Sequence, residues 1–202
     1  MSDSHDHEHD HETSAEISNR VKRLIGTLER RGILTEEHVD ATIQSFLSHA
    51  RPANGFRVVA RAWVDGEFKQ RLLADATSAV SELGVDLSHW APVCIRAVEN
   101  TSVLHNVIVC TLCSCYPISL LGPSPAWYKS EAYRSKVVRD PRGVLEEFGV
   151  RLAPEKEVRV WDSTSELRYI VVPERPAGTD GFSEVALAEL VTTNGLIGTA
   201  LV

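Results

Sequence analysis

Val109-Cys110-Thr111-Leu112-Cys113-Ser114-Cys115-Tyr116-Pro117 places three thiols within six residues of a 202-residue chain. The residues before it, from His105 to Leu112, are rich in β-branched and aliphatic side chains and read as a strand. Those after it, Pro117 to Pro125, carry Pro and Gly and read as a loop. The cluster therefore sits where a strand gives way to a loop, a place where functional groups are presented. A disulfide framework spreads its cysteines to staple distant segments, and this spacing does not. Three crowded thiols point to a metal or redox site instead. A closed zinc site needs four ligands, and the only other thiol is Cys94. A four-cysteine zinc site would need an unusual geometry. In Cys113-Ser114-Cys115 the two thiolates and the peptide between them can grip one ion. The backbone nitrogens of Ser114 and Cys115, once without their protons, complete a plane of two nitrogens and two sulfurs. Cys110 then supplies an axial thiolate, and a sixth position stays open. Thiolate and amidate donors favour a small low-spin trivalent ion, Co3+ or Fe3+, over Zn2+. An ion with an open position is a Lewis acid toward substrate or water.

Outward from this centre, strands are expected at Val93 to Val98, Glu157 to Trp161 and Arg168 to Val172. Helices are expected over about 56–64, from an Asp65 cap to Gly84, over Trp127 to Arg139, from Pro141, and from a Ser183 cap to about Val191. Leu196 to Val202 reads as extended. Helices and strands in blocks give an α+β fold, not an alternating parallel sheet. Near the start, Ile17, Val21, Leu24, Ile25 and Leu28 repeat with helical spacing, and Gly32 stops the run. Thr35 can cap a second helix carrying Val39, Ile43, Phe46 and Leu47, broken by Pro52, Asn54 and Gly55. These two helices form an N-terminal arm over 15–54, ahead of a metal-binding α+β domain over 55–202. The arm either docks on a partner subunit or packs on the chain's own body. Residues 1–14 are expected to be a disordered tail, in which His5, His7, His9 and His11 alternate with acids. That tail reads as a solubilising segment with weak capacity for divalent metal.

Charge and hydropathy remove several classes of function. Of the 28 acidic residues six lie in residues 1–16, and the remaining 22 face 21 basic residues. A nearly neutral body offers no basic surface for nucleic acid. No apolar run approaches the ~18 residues of a membrane span. The residues after Met1 are polar and acidic, unlike a secretory leader, so the expected location is cytoplasmic.

The cluster Cys110-Thr111-Leu112-Cys113-Ser114-Cys115 resembles the metal claw of the nitrile hydratase α subunit. The resemblance extends over about 18–202, through Val58-Val59-Ala60-Arg61-Ala62-Trp63, Lys69-Gln70-Arg71-Leu72-Leu73-Ala74-Asp75, Val98-Glu99-Asn100-Thr101, Trp127-Tyr128-Lys129-Ser130, Val137-Val138-Arg139-Asp140-Pro141-Arg142, Val160-Trp161-Asp162-Ser163 and Arg175 to Gly181. It implies a layered α/β/β/α domain, a helical arm and a partner β subunit or split β chains. It implies a catalytic metal centre built from Cys110, Cys113, Ser114 and Cys115. In it Cys113 is a sulfinate and Cys115 a sulfenate, two steps of the thiol oxidation ladder. Thr111, where iron-type members carry Ser, points to cobalt, delivered by a metallochaperone. The reaction implied is addition of water to a small-molecule nitrile to give the amide, with Cys115 at the reacting centre. Two β-subunit arginines hold the oxidised sulfurs in the family, so the isolated chain should be poorly active.

Departures from the family pattern fall on the substrate side. Ile118 stands where members usually carry a Trp, and Ser88-His89-Trp90-Ala91-Pro92 replaces a Gly-rich segment, with no counterpart to a glutamine usually found near the active site. Loss of an indole frees space on the order of the ~150–250 Å² that an aromatic residue buries. A bulky or heteroaromatic nitrile fits that space, unless Trp90 refills it. Other residues have plain structural readings: Cys94 as a core thiol, His105 as a hydrogen-bonded core residue, Trp127 and Tyr128 as anchors, Arg168 and Asp162 as ion-pairing residues, and the Ser114 hydroxyl as a support for an oxidised sulfur. Two other functions share the cluster: the metal subunit of thiocyanate hydrolase, whose start resembles the His/acid tail, and a non-catalytic zinc-binding interaction protein built on Cys94 and the claw.

Overall fold

A computed structural model describes residues 14–87, 93–113 and 115–202. The chain divides into two compact units, one ending at Phe46 and one spanning Leu47–Val202.

In the first unit, helix α1 (Ser14–Arg30) carries Ile17, Val21 and Leu24 on one face, each about half exposed. Gly32, at φ 65°, ends the turn after it, a backbone state that suits glycine. Helix α2 (Glu36–His49) begins where the Thr35 hydroxyl accepts from the His38 N–H at 3.2 Å, the expected cap.

The second unit opens with α3 (Pro52–Val64). Arg51 is extended ahead of Pro52, which takes the first helical turn, so Pro52, Asn54 and Gly55 start a helix as well as separating it from the last. Gly55 is required, since a Cβ there would lie 2.5 Å from the Leu120 carbonyl oxygen. The expected helix from Asp65 to Gly84 is two helices, α4 (Gly66–Ala74) and α5 (Ala76–Glu82). Asp65 caps the first through the Phe68 N–H at 2.9 Å. Asp75 captures the Ser78 N–H and hydroxyl, at 3.1 and 2.6 Å, and so restarts the helix.

Four strands follow, β1 (Cys94–Glu99), β2 (Leu104–Val109), β3 (Glu157–Asp162) and β4 (Leu167–Val172). The chain fold is α+β as expected, yet every strand pair is parallel: β1 with β4, from Cys94↔Leu167 to Glu99↔Val172, and β2 with β3, from Leu104↔Glu157 to Val109↔Asp162. Parallel partners cannot be joined by a tight hairpin, so each ribbon closes only after a long crossover. The crossover from β2 to β3 holds α6 (Ile118–Leu121), a 3-10 turn (Ala126–Lys129), α7 (Glu131–Val137) and α8 (Pro141–Glu147). Helix α6 lies inside the stretch expected to be pure loop, and Ser130 divides the helix expected over 127–139 by capping α7 through the Tyr133 N–H.

Helices α4 and α5 pack on β1, α8 packs on β3, and the two ribbons meet through β2 and β4. This is a helix–sheet–sheet–helix stack, with Ile108, Val109, Ile170, Val171 and Val172 fully buried between the layers. The C-terminal segment corrects the extended reading of Leu196–Val202. After α9 (Glu184–Leu190), capped by Ser183, comes α10 (Thr193–Ile197), capped by the Thr192 hydroxyl on the Gly195 N–H. Gly198 leaves α10 at φ 89°, and a Cβ there would sit 2.0 Å from the Asn106 carbonyl oxygen on β2. Among the described residues no helix is long and apolar enough to cross a membrane.

Candidate metal centre

Strands β2 and β3 run in parallel and end together, at Val109 and Asp162. The Ser163 N–H donates to the Val109 carbonyl at 2.7 Å and closes the ladder, so Cys110 leaves the sheet from a fixed point. Asp162 then reaches across. Its carboxylate accepts from the Thr111 N–H at 2.9 Å and from the Thr111 hydroxyl at 2.5 Å. Asp162, read from the sequence as an ion-pairing residue, is a tether on the loop.

The loop turns back so that the Cys113 N–H points at the Cys110 sulfur, 3.3 Å away. The Cys110 and Cys113 sulfurs are 3.3 Å apart, the Cys113 and Cys115 sulfurs 3.1 Å apart, and all three lie within 4.8 Å of one another. Cys110 and Cys115 are buried and Cys113 is exposed. Burial first, and the Cys113 contact second, push the Cys115 thiol up to about 12, against a lowering pull from Arg168. Coordination to a cation is the ordinary way to offset such a cost, since a bound thiol is held as thiolate.

The spacing discriminates between geometries. Two sulfurs bonded at about 2.3 Å to one ion lie about 3.3 Å apart at roughly a right angle, and about 3.8 Å apart at the tetrahedral angle. The observed 3.1 and 3.3 Å match adjacent corners of a square or octahedron and are too short for a tetrahedron. The residues present therefore fit a planar or octahedral thiolate centre. Cys94, the fourth thiol of a zinc site, is exposed at the start of β1 and outside the sulfur cluster, which also corrects its reading as a core thiol. Ser114 and Trp90 lie outside the described residues, as does the His-rich tail.

Two side chains whose hold on the loop sequence reasoning did not assign, Tyr128 and Arg134, grip it by its carbonyls, and a third, Tyr133, braces the strand before it. Tyr128 is fully buried and donates its hydroxyl to the Cys115 carbonyl at 3.0 Å. Arg134, on α7, donates Nη1 to the carbonyls of Thr111 at 3.4 Å and Cys113 at 3.3 Å. Tyr133 donates to the Ile108 carbonyl at 2.7 Å and fixes α7 against β2. Trp127 stacks edge-on against Tyr133 and Phe148, at 4.9 and 4.6 Å, so it is a core anchor with Tyr128. His105 is a buried structural residue, with Nε2 2.7 Å from the Gly198 carbonyl. The only signal for Tyr128 was its place in Trp127-Tyr128-Lys129-Ser130. Nothing local marks Arg134.

Beside the sulfurs is a cavity of about 370 Å³, bordered by Cys113, Cys115, Ile118, Lys129 and Arg168. Ile118, expected at the substrate pocket, lines it. Arg168 makes no ion pair among the described residues. Among the described residues its Nη1 and the Tyr116 hydroxyl are buried without a hydrogen-bond partner.

The layered fold and the sulfur cluster define a thiolate metal-binding chain whose site opens on a cavity. Residues 15–200 match the family model described as nitrile hydratase, alpha chain. The chain belongs to the nitrile hydratase α-chain family. It is 49% identical over 189 residues to the low-molecular weight cobalt-containing nitrile hydratase subunit alpha of Rhodococcus rhodochrous, covering 94% of this chain and 90% of that one. It is 50% identical over 188 residues to the cobalt-containing subunit alpha of Pseudonocardia thermophila, covering 93% and 91%. The thiocyanate hydrolase subunit gamma of Thiobacillus thioparus is 45% identical over 159 residues, covering 74% of this chain and 65% of that one. A solved Fe-type nitrile hydratase double mutant from Comamonas testosteroni Ni1 superposes with a TM-score of 0.87 at 39% identity, covering 94% and 91%.

Proposed function

We propose that this chain is the metal-carrying catalytic α subunit of a cobalt nitrile hydratase, which adds water to a nitrile to give the amide in complex with a β subunit. The observation that carries this reading is the close cluster of three sulfurs, with Cys113 3.3 and 3.1 Å from its two neighbours, in a chain half identical to cobalt-containing α subunits. Cys110, Cys113 and Cys115 hold the ion through sulfur, and Ser114 and Cys115 through their backbone nitrogens. Bound there, a trivalent cation supplies Lewis acidity toward a nitrile or a water molecule. The protein's own part is to hold the donors rigid and present one side of the site to a confined space. Asp162, Tyr128 and Arg134 fix the loop from three directions. With dioxygen as the oxidant, Cys113, the exposed sulfur, would be carried to sulfinate and Cys115, at the cavity wall, to sulfenate.

The cavity supports the substrate proposal. Ile118 is shorter than an indole and leaves room beside Cys115 for a bulky or heteroaromatic nitrile. Two cations at the same wall, Lys129 and Arg168, favour an anion, which gives the thiocyanate reading its own support.

The test is co-expression with a β subunit and a cobalt-loading chaperone, followed by metal analysis and mass spectrometry. One cobalt per chain, with two oxygens added on Cys113 and one on Cys115, is expected. Zinc on unmodified thiols overturns the reading in favour of a binding protein. Turnover of a heteroaryl nitrile above acrylonitrile supports the bulky substrate, the reverse order removes it, and turnover of thiocyanate alone transfers the chain to that hydrolase.

A further inference from the structure

We propose that Arg134 is the counter-cation of the metal centre, its guanidinium resting on the oxygen of the peptide unit whose nitrogen, that of Ser114, binds the ion. This rests on the metal reading above. A peptide nitrogen and its carbonyl oxygen share charge through the resonance that makes the unit planar. When the Ser114 nitrogen binds as an anion, much of its charge sits on the Cys113 carbonyl oxygen, and that atom accepts from Arg134 Nη1 at 3.3 Å. The same nitrogen donates to the Thr111 carbonyl at 3.4 Å, so one amino group of the guanidinium bridges the loop on either side of Leu112.

Three features separate this from an ordinary surface arginine. First, among the described residues Arg134 pairs with no carboxylate, and its Nε is buried without a partner. A partly buried cation with only carbonyls to face gains from added negative charge next to it. Second, the donor set of three sulfurs and two peptide nitrogens carries more negative charge than a trivalent ion cancels. Third, the arginine is set on α7, whose start is fixed by the Ser130 cap and whose next turn is fixed by the Tyr133 hydroxyl on Ile108. Nη1 of Arg134 carries two N–H bonds for the two carbonyls, and Lys would keep the charge as a compact ammonium.

The experiment compares the assembled α–β complex of the wild type with R134Q and R134K, after thermal unfolding shows each to be folded. Cobalt per chain is followed during dialysis against a chelator, and the sulfur-to-cobalt charge-transfer band is recorded. R134Q is expected to lose cobalt about tenfold faster. Its band is expected to move to higher energy, because a peptide oxygen without its cation donates more strongly through nitrogen. R134K is expected to hold its band near the wild-type position. An R134Q complex that matches the wild type in both measurements overturns the proposal and leaves the cobalt site standing. Faster cobalt loss with an unmoved band reduces Arg134 to a pin on the loop and also overturns it. A wild-type complex that takes up no cobalt overturns the metal reading and this proposal together.

Discussion

Thr111 and Asp162 show how a single pair shapes the donor loop. The carboxylate accepts both the backbone N–H and the hydroxyl of Thr111. T111V removes one bond and leaves the other, and D162A removes both. Hydrogen bonds to a charged group contribute about 1.5–3 kcal/mol each, and partial exposure places these at the low end. D162A is therefore expected to lower cobalt occupancy more than T111V does, with both chains still folded; metal analysis of the purified complexes reads the difference. Tyr128 is the buried counterpart. Y128F keeps the ring and strands the Cys115 carbonyl, at a cost of about 1–3 kcal/mol in urea unfolding. The sulfur cluster itself was legible because its three ligands are local in sequence. Its supports were not, because Asp162 and Arg134 lie 51 and 21 positions from the atoms they hold.

At the level of helices and strands, the caps were the legible part. Thr35, Asp65, Pro141 and Ser183 start helices where their chemistry says they should. Asp75 carries the same chemistry, but Ala76, Ala79 and Val80 continue the apolar period across it and hide the break. Strand position was readable from β-branched runs. Parallel pairing was not, because partners are set by packing between distant segments. The end of the chain is the clearest case: Leu196 and Ile197 look extended, yet Gly198 lets α10 turn back against β2. G198A is expected to destabilise the chain by more than about 2 kcal/mol, since a Cβ would meet Asn106 in a backbone region unsuited to Ala. His105 sits at the same contact. Burial holds its imidazole below its usual range, helped by Lys156 and opposed by the Gly198 carbonyl and Glu174. A histidine kept neutral in the fold gives stability that is complete above its unfolded value. That stability is expected to fall as pH drops below about 6.5, and H105Q to flatten the slope in a stability–pH series.

Taken whole, the chain keeps its chemistry in one of its two units. The division after Phe46 places every donor, tether and cavity residue in Leu47–Val202. Deletion of residues 1–46 is expected to leave that unit with a single cooperative unfolding transition, its Tm within about 4 °C of the parent; calorimetry of both chains decides. Composition announced an ordinary globular protein with an acidic start, and the block order of helices and strands an α+β fold, but neither could show that both ribbons would need segments from opposite ends of the crossover.

That crossover sets a schedule for biosynthesis. The tether on Thr111 is supplied by a residue made 51 positions later, and the strand that positions Cys110 pairs with a partner not yet translated when the thiols leave the ribosome. A nascent chain that stalls before β3 exposes three neighbouring thiols with no scaffold to separate them, ready to crosslink. An ordered donor loop thus belongs to a chain whose β3 has already been made.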